Sequence, residues 1–299
     1  MTCRVLIRLA LILIAGIIST QEASSQNIIL GILEDNLGHY AGDPNFRAVR
    51  VIFERRGEEW TPFLNNCRNR TCLKTATSHY PRELSWTITF DGRKVGNVTS
   101  RTPTDFAWYG SIGQQEITGK DPVPAVGAKS PELNGLPYRP LIANSKPYFK
   151  DPDAWKPATL PPTATAVLRQ AFRKKFPNLC RSSKADHSKL EPYPYRDEDV
   201  KLVKSYRSGS GWVVARLHLD AIDCNDVEAG DDIDDPWFVM DAEKSIKYLD
   251  SGIWLVDAGD YDNDGKSELV FSINRENEGG YKIYYDDFRK HATFKFNYH

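Results

Sequence analysis

The chain has 299 residues, 40% of them hydrophobic, and its 39 basic and 40 acidic residues leave a formal net charge of −1. A near-neutral chain lacks the basic excess that binds a phosphate backbone, so its composition argues against a nucleic-acid partner. Its length permits one substantial hydrophobic core, and we expect a single mainly β domain over residues 26–299.

The first 25 residues have the order of a secretory signal peptide. Arg4 and Arg8 lie around the start of an apolar run, Val5–Ile18, and the small residues Ala23 and Ser25 precede a candidate cleavage position. A transmembrane anchor is the alternative, but a spanning helix needs about 20 apolar residues and this run is shorter. We therefore predict a signal peptide at 1–25, a secreted or periplasmic mature protein, and no membrane insertion after cleavage.

Strand patterns dominate the mature sequence. Ala48–Phe53 and Trp60–Leu64 flank a turn at Gly57, and Trp86–Phe90 and Val95–Thr99 flank an Asp-Gly pair, which is the strongest short hairpin signal. Further strands are predicted at Ile28–Leu33, Phe106–Tyr109, Gln114–Thr118, Leu141–Ala143, Val200–Tyr206, Trp212–Leu219, Trp237–Met240, Ile246–Leu249, Ile253–Val256, Glu268–Ile273, Tyr281–Tyr285 and Ala292–Phe296.

Four cysteines follow the predicted signal peptide, namely Cys67, Cys72, Cys180 and Cys224. An even number in an exported chain favours disulfides. Of the three pairings that four cysteines allow, we favour Cys67–Cys72, which closes a small loop, and Cys180–Cys224, which ties down a long polar segment. A zinc site of four thiolates needs two short Cys spacings, and the sequence has only one.

A proline-rich stretch and one helix separate the two groups of strands. Residues 119–162 combine many prolines with aromatic residues, which predicts an ordered connection rather than a flexible linker. Thr163–Phe176 places Val167, Leu168, Ala171 and Phe172 on one helical face, so we predict a helix over 163–176 that packs on a sheet.

The segment with the clearest chemistry is an acidic loop near the C-terminus. Asp260, Asp262 and Asp264 alternate, and a glycine follows them. Calcium takes six to eight hard oxygen ligands, and these three carboxylates, the backbone carbonyl of Lys266 and the carboxylate of Glu268 supply most of them. We predict a Ca2+ site at these five residues. Magnesium suits the loop less well, because it keeps more waters in a rigid octahedron.

The spacing departs from an EF-hand, because the twelfth loop position is Phe271 rather than glutamate. The segment Gly259–Leu269 instead has the form Gly-Asp-x-Asp-x-Asp-Gly-x-x-Glu-Leu, between predicted strands. It resembles the calcium loop of the FG-GAP/VCBS repeat family, over about residues 253–273. The resemblance implies an integrin-α-like β-propeller unit at 253–299 with a structural calcium. Only one clear copy occurs, and a β-sandwich with a calcium loop is the alternative fold.

No catalytic signature is evident in the sequence. It contains neither the Gly-x-Ser-x-Gly motif of a nucleophile elbow nor the glycine-rich motifs of nucleotide-binding loops. We assign no catalytic residue and favour an exported calcium-binding module for a protein or carbohydrate ligand. The alternative is a secreted polysaccharide hydrolase or lyase with a supporting calcium ion.

Overall fold

The computed structural model describes residues 27–36, 46–63, 70–101, 112–124, 139–182, 190–224, 235–275 and 277–297. The predicted signal peptide, the strand predicted at 106–109, part of the proline-rich stretch and Cys67 lie outside these ranges, as does the side chain of Cys72. Within the described ranges, no helix has the length and apolar character needed to cross a membrane.

The N-terminal half forms a seven-stranded antiparallel sheet in the order β1-β7-β4-β5-β6-β2-β3. Strand β1 also pairs with β2, so β1 has a hydrogen-bonded neighbour on each edge. The predicted turn after β4 adopts the left-handed backbone that a tight hairpin needs, with φ of 52° at Asp91 and 66° at Gly92. Its strands are β1 (Ile28–Asn36), β2 (Phe46–Arg56), β3 (Glu59–Pro62), β4 (Glu83–Phe90), β5 (Arg93–Arg101), β6 (Gln114–Ile117) and β7 (Leu141–Asn144).

The C-terminal half contains three further antiparallel sheets. The five-stranded sheet has the order β15-β14-β12-β11-β8, the three-stranded sheet β10-β9-β13, and the four-stranded sheet β16-β17-β18-β19. These strands are β8 (Lys156–Pro157), β9 (Leu179–Ser182), β10 (Leu190–Pro192), β11 (Lys201–Arg207), β12 (Val213–His218), β13 (Ile222–Asp223), β14 (Trp237–Met240), β15 (Ile246–Asp250), β16 (Ile253–Gly259), β17 (Glu268–Arg275), β18 (Glu278–Tyr285) and β19 (Lys290–Asn297).

The predicted helix is present as α2 (Pro162–Lys175), with Leu168 and Phe172 fully buried on one face. A second α-helix, α1 (Arg70–His79), was not predicted. Its sequence is rich in threonine, which has a modest helix propensity, and it lacks a continuous apolar stripe. A short 3₁₀ helix covers Asp197–Asp199.

The four-stranded sheet lies between the two larger sheets. Leu269 and Phe271 on β17 belong to the same hydrophobic core cluster as Val214 of the five-stranded sheet, whereas the intervening Val270 belongs to the cluster that contains Val51 of the seven-stranded sheet. A strand buried on both faces carries a continuous apolar run rather than an alternating one, as β17 does. On its other face the five-stranded sheet is covered by α2.

These stacked antiparallel sheets confirm the prediction of a mainly β protein, and they fit the sandwich alternative. The described sheets differ in strand number and do not show a propeller.

Cys180 on β9 and Cys224 after β13 form a disulfide across the three-stranded sheet, with their Cα atoms 5.1 Å apart. The bond spans 44 residues of sequence. In the chain-entropy model such a loop stabilises the fold by about 4 kcal/mol.

Candidate metal centre

The acidic loop connects β16 to β17. Its turn depends on two residues in the left-handed region, Asn263 with φ of 63° and Gly265 with φ of 89°. Asparagine tolerates this conformation, and glycine adopts it without steric cost. A Cβ added at Gly265 would meet no atom within 4 Å, so the positive φ is what requires glycine here. The turn brings Glu268 back beside the first aspartates of the loop.

Three carboxylates converge inside this loop. Asp260, Asp262 and Glu268 each present an oxygen, and these three oxygens lie within 4.8 Å of one another. Two ligands that share an ion at 2.3–2.6 Å can be at most about 5 Å apart, so the three side chains could hold one metal ion. Asp264 is exposed and is not part of this group. The roles assigned to Asp264 and to the carbonyl of Lys266 stay predictions.

Backbone amides orient the carboxylates. The two side-chain oxygens of Asp260 accept hydrogen bonds from the N–H groups of Asp264 and Gly265, at 3.0 and 3.1 Å. Oε2 of Glu268 accepts one from the N–H of Tyr261 at 2.7 Å. The loop therefore holds its oxygens in place through its own main chain, which lowers the entropic cost of ordering ligands around an ion.

The convergence is electrostatically unfavourable without a cation. Glu268 is only 1% exposed, and burial, together with the neighbouring aspartates, raises its pKa well above the usual range. Burial also raises the pKa of Asp260 and of Asp262, although the charge of Arg55 partly opposes the rise at Asp262. A divalent cation would favour the ionised forms of all three groups.

One basic side chain of the described chain forms an ion pair with these carboxylates. Nε of Arg55, on β2, lies 2.7 Å from Oδ2 of Asp262, although the pair lacks good hydrogen-bond geometry. Both side chains are largely buried, with exposed fractions of 12% and 3%. A single guanidinium cannot balance three carboxylates, so the cluster keeps a net negative charge.

A segment of the proline-rich stretch supports the loop from outside. The carbonyl of Lys150 accepts a hydrogen bond from the N–H of Asp260 at 2.6 Å. Asp151 accepts one from the hydroxyl of Ser267 at 2.6 Å, and Asp153 accepts one from the N–H of Ser267 at 2.9 Å. Sequence reasoning missed these residues. Their only local signal is an Asp-Pro-Asp turn within a stretch that was predicted to be ordered.

The side chain of Lys266 is directed to a neighbouring loop. Its Nζ donates to Oδ2 of Asp287 at 2.6 Å, and this hydrogen bond raises the pKa of Lys266. The positive charge is therefore held by Asp287 rather than by the carboxylate cluster.

Comparisons of the chain with protein-family models, curated proteins and solved structures found no match.

Proposed function

We propose that this protein is an exported binding module whose C-terminal sheet is braced by one calcium ion in an FG-GAP/VCBS-like loop. The proposal rests on the convergence of the carboxylates of Asp260, Asp262 and Glu268 in a largely buried position. Within the described chain, Arg55 is the one basic residue that forms an ion pair with them. Uncompensated buried charge is costly, and a bound cation removes that cost.

Calcium fits the donor set better than other common ions do. The three converging donors are carboxylate oxygens, which suit hard cations, whereas zinc and copper sites use imidazole or thiolate. The donors lie on one short loop whose turn contains an exposed tip at Asn263–Gly265. A loop of this kind can adapt to the variable geometry of calcium more readily than to the strict octahedron of magnesium.

The ion would act as a structural link between distant parts of the chain. The ligand loop contacts the seven-stranded sheet through Arg55 and the proline-rich stretch through Lys150 and Asp153. An ion that fixes the loop therefore also fixes these contacts. Because it binds the folded state alone, it should raise stability by RT ln(1 + [L]/Kd).

Export and a binding role complete the proposal. The Cys180–Cys224 disulfide supports export, because such bonds persist in oxidising compartments. The layered antiparallel sheets offer a rigid framework on which loops can present a ligand-binding surface.

The proposal is tested by unfolding the mature protein with calcium and with a chelator. We expect calcium at 100 to 1,000 times Kd to add about 2–4 kcal/mol to the unfolding free energy, and the Asp262→Ala variant to lose this gain. Asp220→Ala is the control, because Asp220 is an exposed aspartate outside the loop. A wild-type protein whose stability does not respond to calcium would overturn the proposal.

A further inference from the structure

The carboxylates of the loop supply fewer oxygens than calcium requires. Both oxygens of Asp260 accept backbone hydrogen bonds, one oxygen of Glu268 accepts the N–H of Tyr261, and one oxygen of Asp262 is paired with Arg55. Carboxylates engaged in this way are disposed to give one oxygen each. With Asp264 and the Lys266 carbonyl the loop then provides about five oxygens, whereas calcium takes six to eight.

The missing oxygens must come from the open side of the loop. Glu268, Asp260 and the side chain of Asp262 are buried, with exposed fractions of 1%, 9% and 3%. Asn263 and Asp264 are exposed instead. The approach to the site therefore runs past the tip of the loop.

A groove lies on that side. It has a volume of about 290 Å3, which is close to the lower end of the range of small-molecule sites. The loop contributes Asp262, Asn263 and Asp264 to its wall, β2 contributes Arg55, and the turn after β2 contributes Gly57. An exogenous oxygen ligand on the ion would project into this groove.

The charge of the filled site selects the chemistry of that ligand. The three converging carboxylates, one guanidinium and one divalent ion sum to zero, and Asp264 in the groove wall adds one negative charge. A further anion would be repelled, whereas a neutral hydroxyl can give a lone pair to the ion and donate its proton to a carboxylate. We propose that the groove binds a neutral hydroxyl-bearing ligand, such as a sugar with a vicinal diol, through the metal ion. This inference rests on the proposed calcium site.

Europium luminescence separates the two proposals. Eu3+ replaces Ca2+ at oxygen sites, and its decay rates in H2O and D2O give the number of water molecules bound to the ion. We expect Eu3+ to bind with at least one coordinated water molecule. Calcium should displace the bound Eu3+, and Asp262→Ala should abolish its binding. We also expect methyl α-mannopyranoside to reduce the bound water. Acetate is tested on the Ca2+-loaded protein by calorimetric titration, because the third charge of Eu3+ would attract the anion, and we expect no binding.

A glycine in the groove wall provides a variant outside the metal ligands. Gly57 has φ of 58°, and a Cβ there would meet no atom within 4 Å, so Gly57→Asn adds a side chain to the groove in a conformation that asparagine tolerates. Gly119→Asn is the matched control, because Gly119 has φ of 77°, equally open surroundings and no place in the groove. We expect Gly57→Asn to weaken the effect of the mannoside at least threefold and to leave Eu3+ binding unchanged.

Each outcome identifies which proposal fails. If Eu3+ does not bind, or binds equally well to Asp262→Ala, the calcium site itself is wrong. If Eu3+ binds without any coordinated water, the ion has no free position for an exogenous ligand, and only the structural calcium site remains supported. Bound water that the mannoside does not displace, or acetate that binds the Ca2+-loaded protein, would overturn the hydroxyl ligand.

Discussion

Two acidic loops lie at the same end of the four-stranded sheet and use their charge differently. In the β16–β17 loop, Asp260, Asp262 and Glu268 converge, with Asp260 and Glu268 buried and the side chain of Asp262 only 3% exposed. In the β18–β19 loop, Asp286 and Asp287 are partly exposed and pair with Arg289 and Lys266. Acidic composition alone therefore does not mark a metal site. What marks it is that the carboxylates face one another without enough cations to balance them.

The spacing of the acids explains the difference. Aspartates at alternate positions, with Gly265 to reverse the chain, direct their side chains to one side of the β16–β17 loop. The β18–β19 loop has adjacent acids and three successive left-handed residues, Asp286, Asp287 and Phe288, with φ of 52°, 54° and 62°. It is anchored by the ring of Phe288, which packs against Trp212 at 5.4 Å between centroids. An aromatic contact holds the second loop, and we infer that an ion holds the first.

The largest expected effect concerns the most buried acid of the first loop. In chelator, Glu268→Gln should unfold at a higher urea concentration than the wild type, because glutamine buries no charge and its carbonyl can still accept the Tyr261 N–H. Calcium should then add none of the about 2–4 kcal/mol that it gives the wild type. Glu116→Gln, at an exposed acid on β6, is the control and should keep the full gain. A glutamine variant that still responds to calcium would remove Glu268 from the ligands.

The next effect concerns pH and the strand that leads into the first loop. Burial raises the pKa of Asp257 from 3.8 to about 6. Because the folded-state pKa lies above the unfolded one, ionisation costs stability above pH 6, and the cost disappears as the pH falls toward 4. The full difference is up to about 3 kcal/mol.

Urea unfolding of the wild type and Asp257→Asn in chelator measures this effect. The wild type should gain stability relative to the variant as the pH falls from 7 to 4, while the other carboxylates titrate in both proteins and cancel. Parallel pH profiles would mean that Asp257 is ionised in the folded protein as readily as in water.

A smaller effect concerns the turn of the first loop. Gly265→Ala forces a Cβ into the left-handed region at φ of 89°, which should cost about 1–2 kcal/mol. Asn263→Gly, at φ of 63°, should change stability by less than about 0.5 kcal/mol, because relief of strain offsets the freer unfolded chain. Urea midpoints of the two variants provide the comparison. Equal losses at both positions would show that the turn does not depend on its glycine.

The smallest effect is expected in the second loop. Asp287→Asn removes an ion pair with Lys266 whose partners are 42% and 44% exposed, so stability should fall by less than about 0.5 kcal/mol. The calcium gain should remain complete in this variant. Thermal unfolding with and without calcium measures both quantities. A lost calcium response would mean that the two loops act as one site.

Local features of the fold were predictable from the sequence. The Asp91-Gly92 turn requires positive φ at both residues, and aspartate followed by glycine is a pair that favours this conformation. The apolar run at Leu269–Phe271 likewise indicated a buried strand. The helix α1 was missed because threonine, serine, cysteine and histidine, which have weak intrinsic helix preferences, make up much of its sequence.

The surroundings of the acidic loop could not be predicted in the same way. The alternation of Asp260 and Asp262 indicated ligands because their geometry is local. Arg55 and Asp153 reach the loop from distant segments, and no pattern near either residue indicates a partner there. Such contacts depend on how the sheets stack, which the order of strands along the chain leaves open.

Calorimetric titration with Ca2+ after removal of bound metal is the decisive test of the site in the β16–β17 loop. We expect one calcium ion per chain, weaker binding of Mg2+, and loss of binding in Asp262→Ala but not in Asp287→Asn. Absence of calcium binding in the wild type, or equal binding in both variants, would contradict this expectation, and the converging carboxylates would then be an acidic turn without a metal.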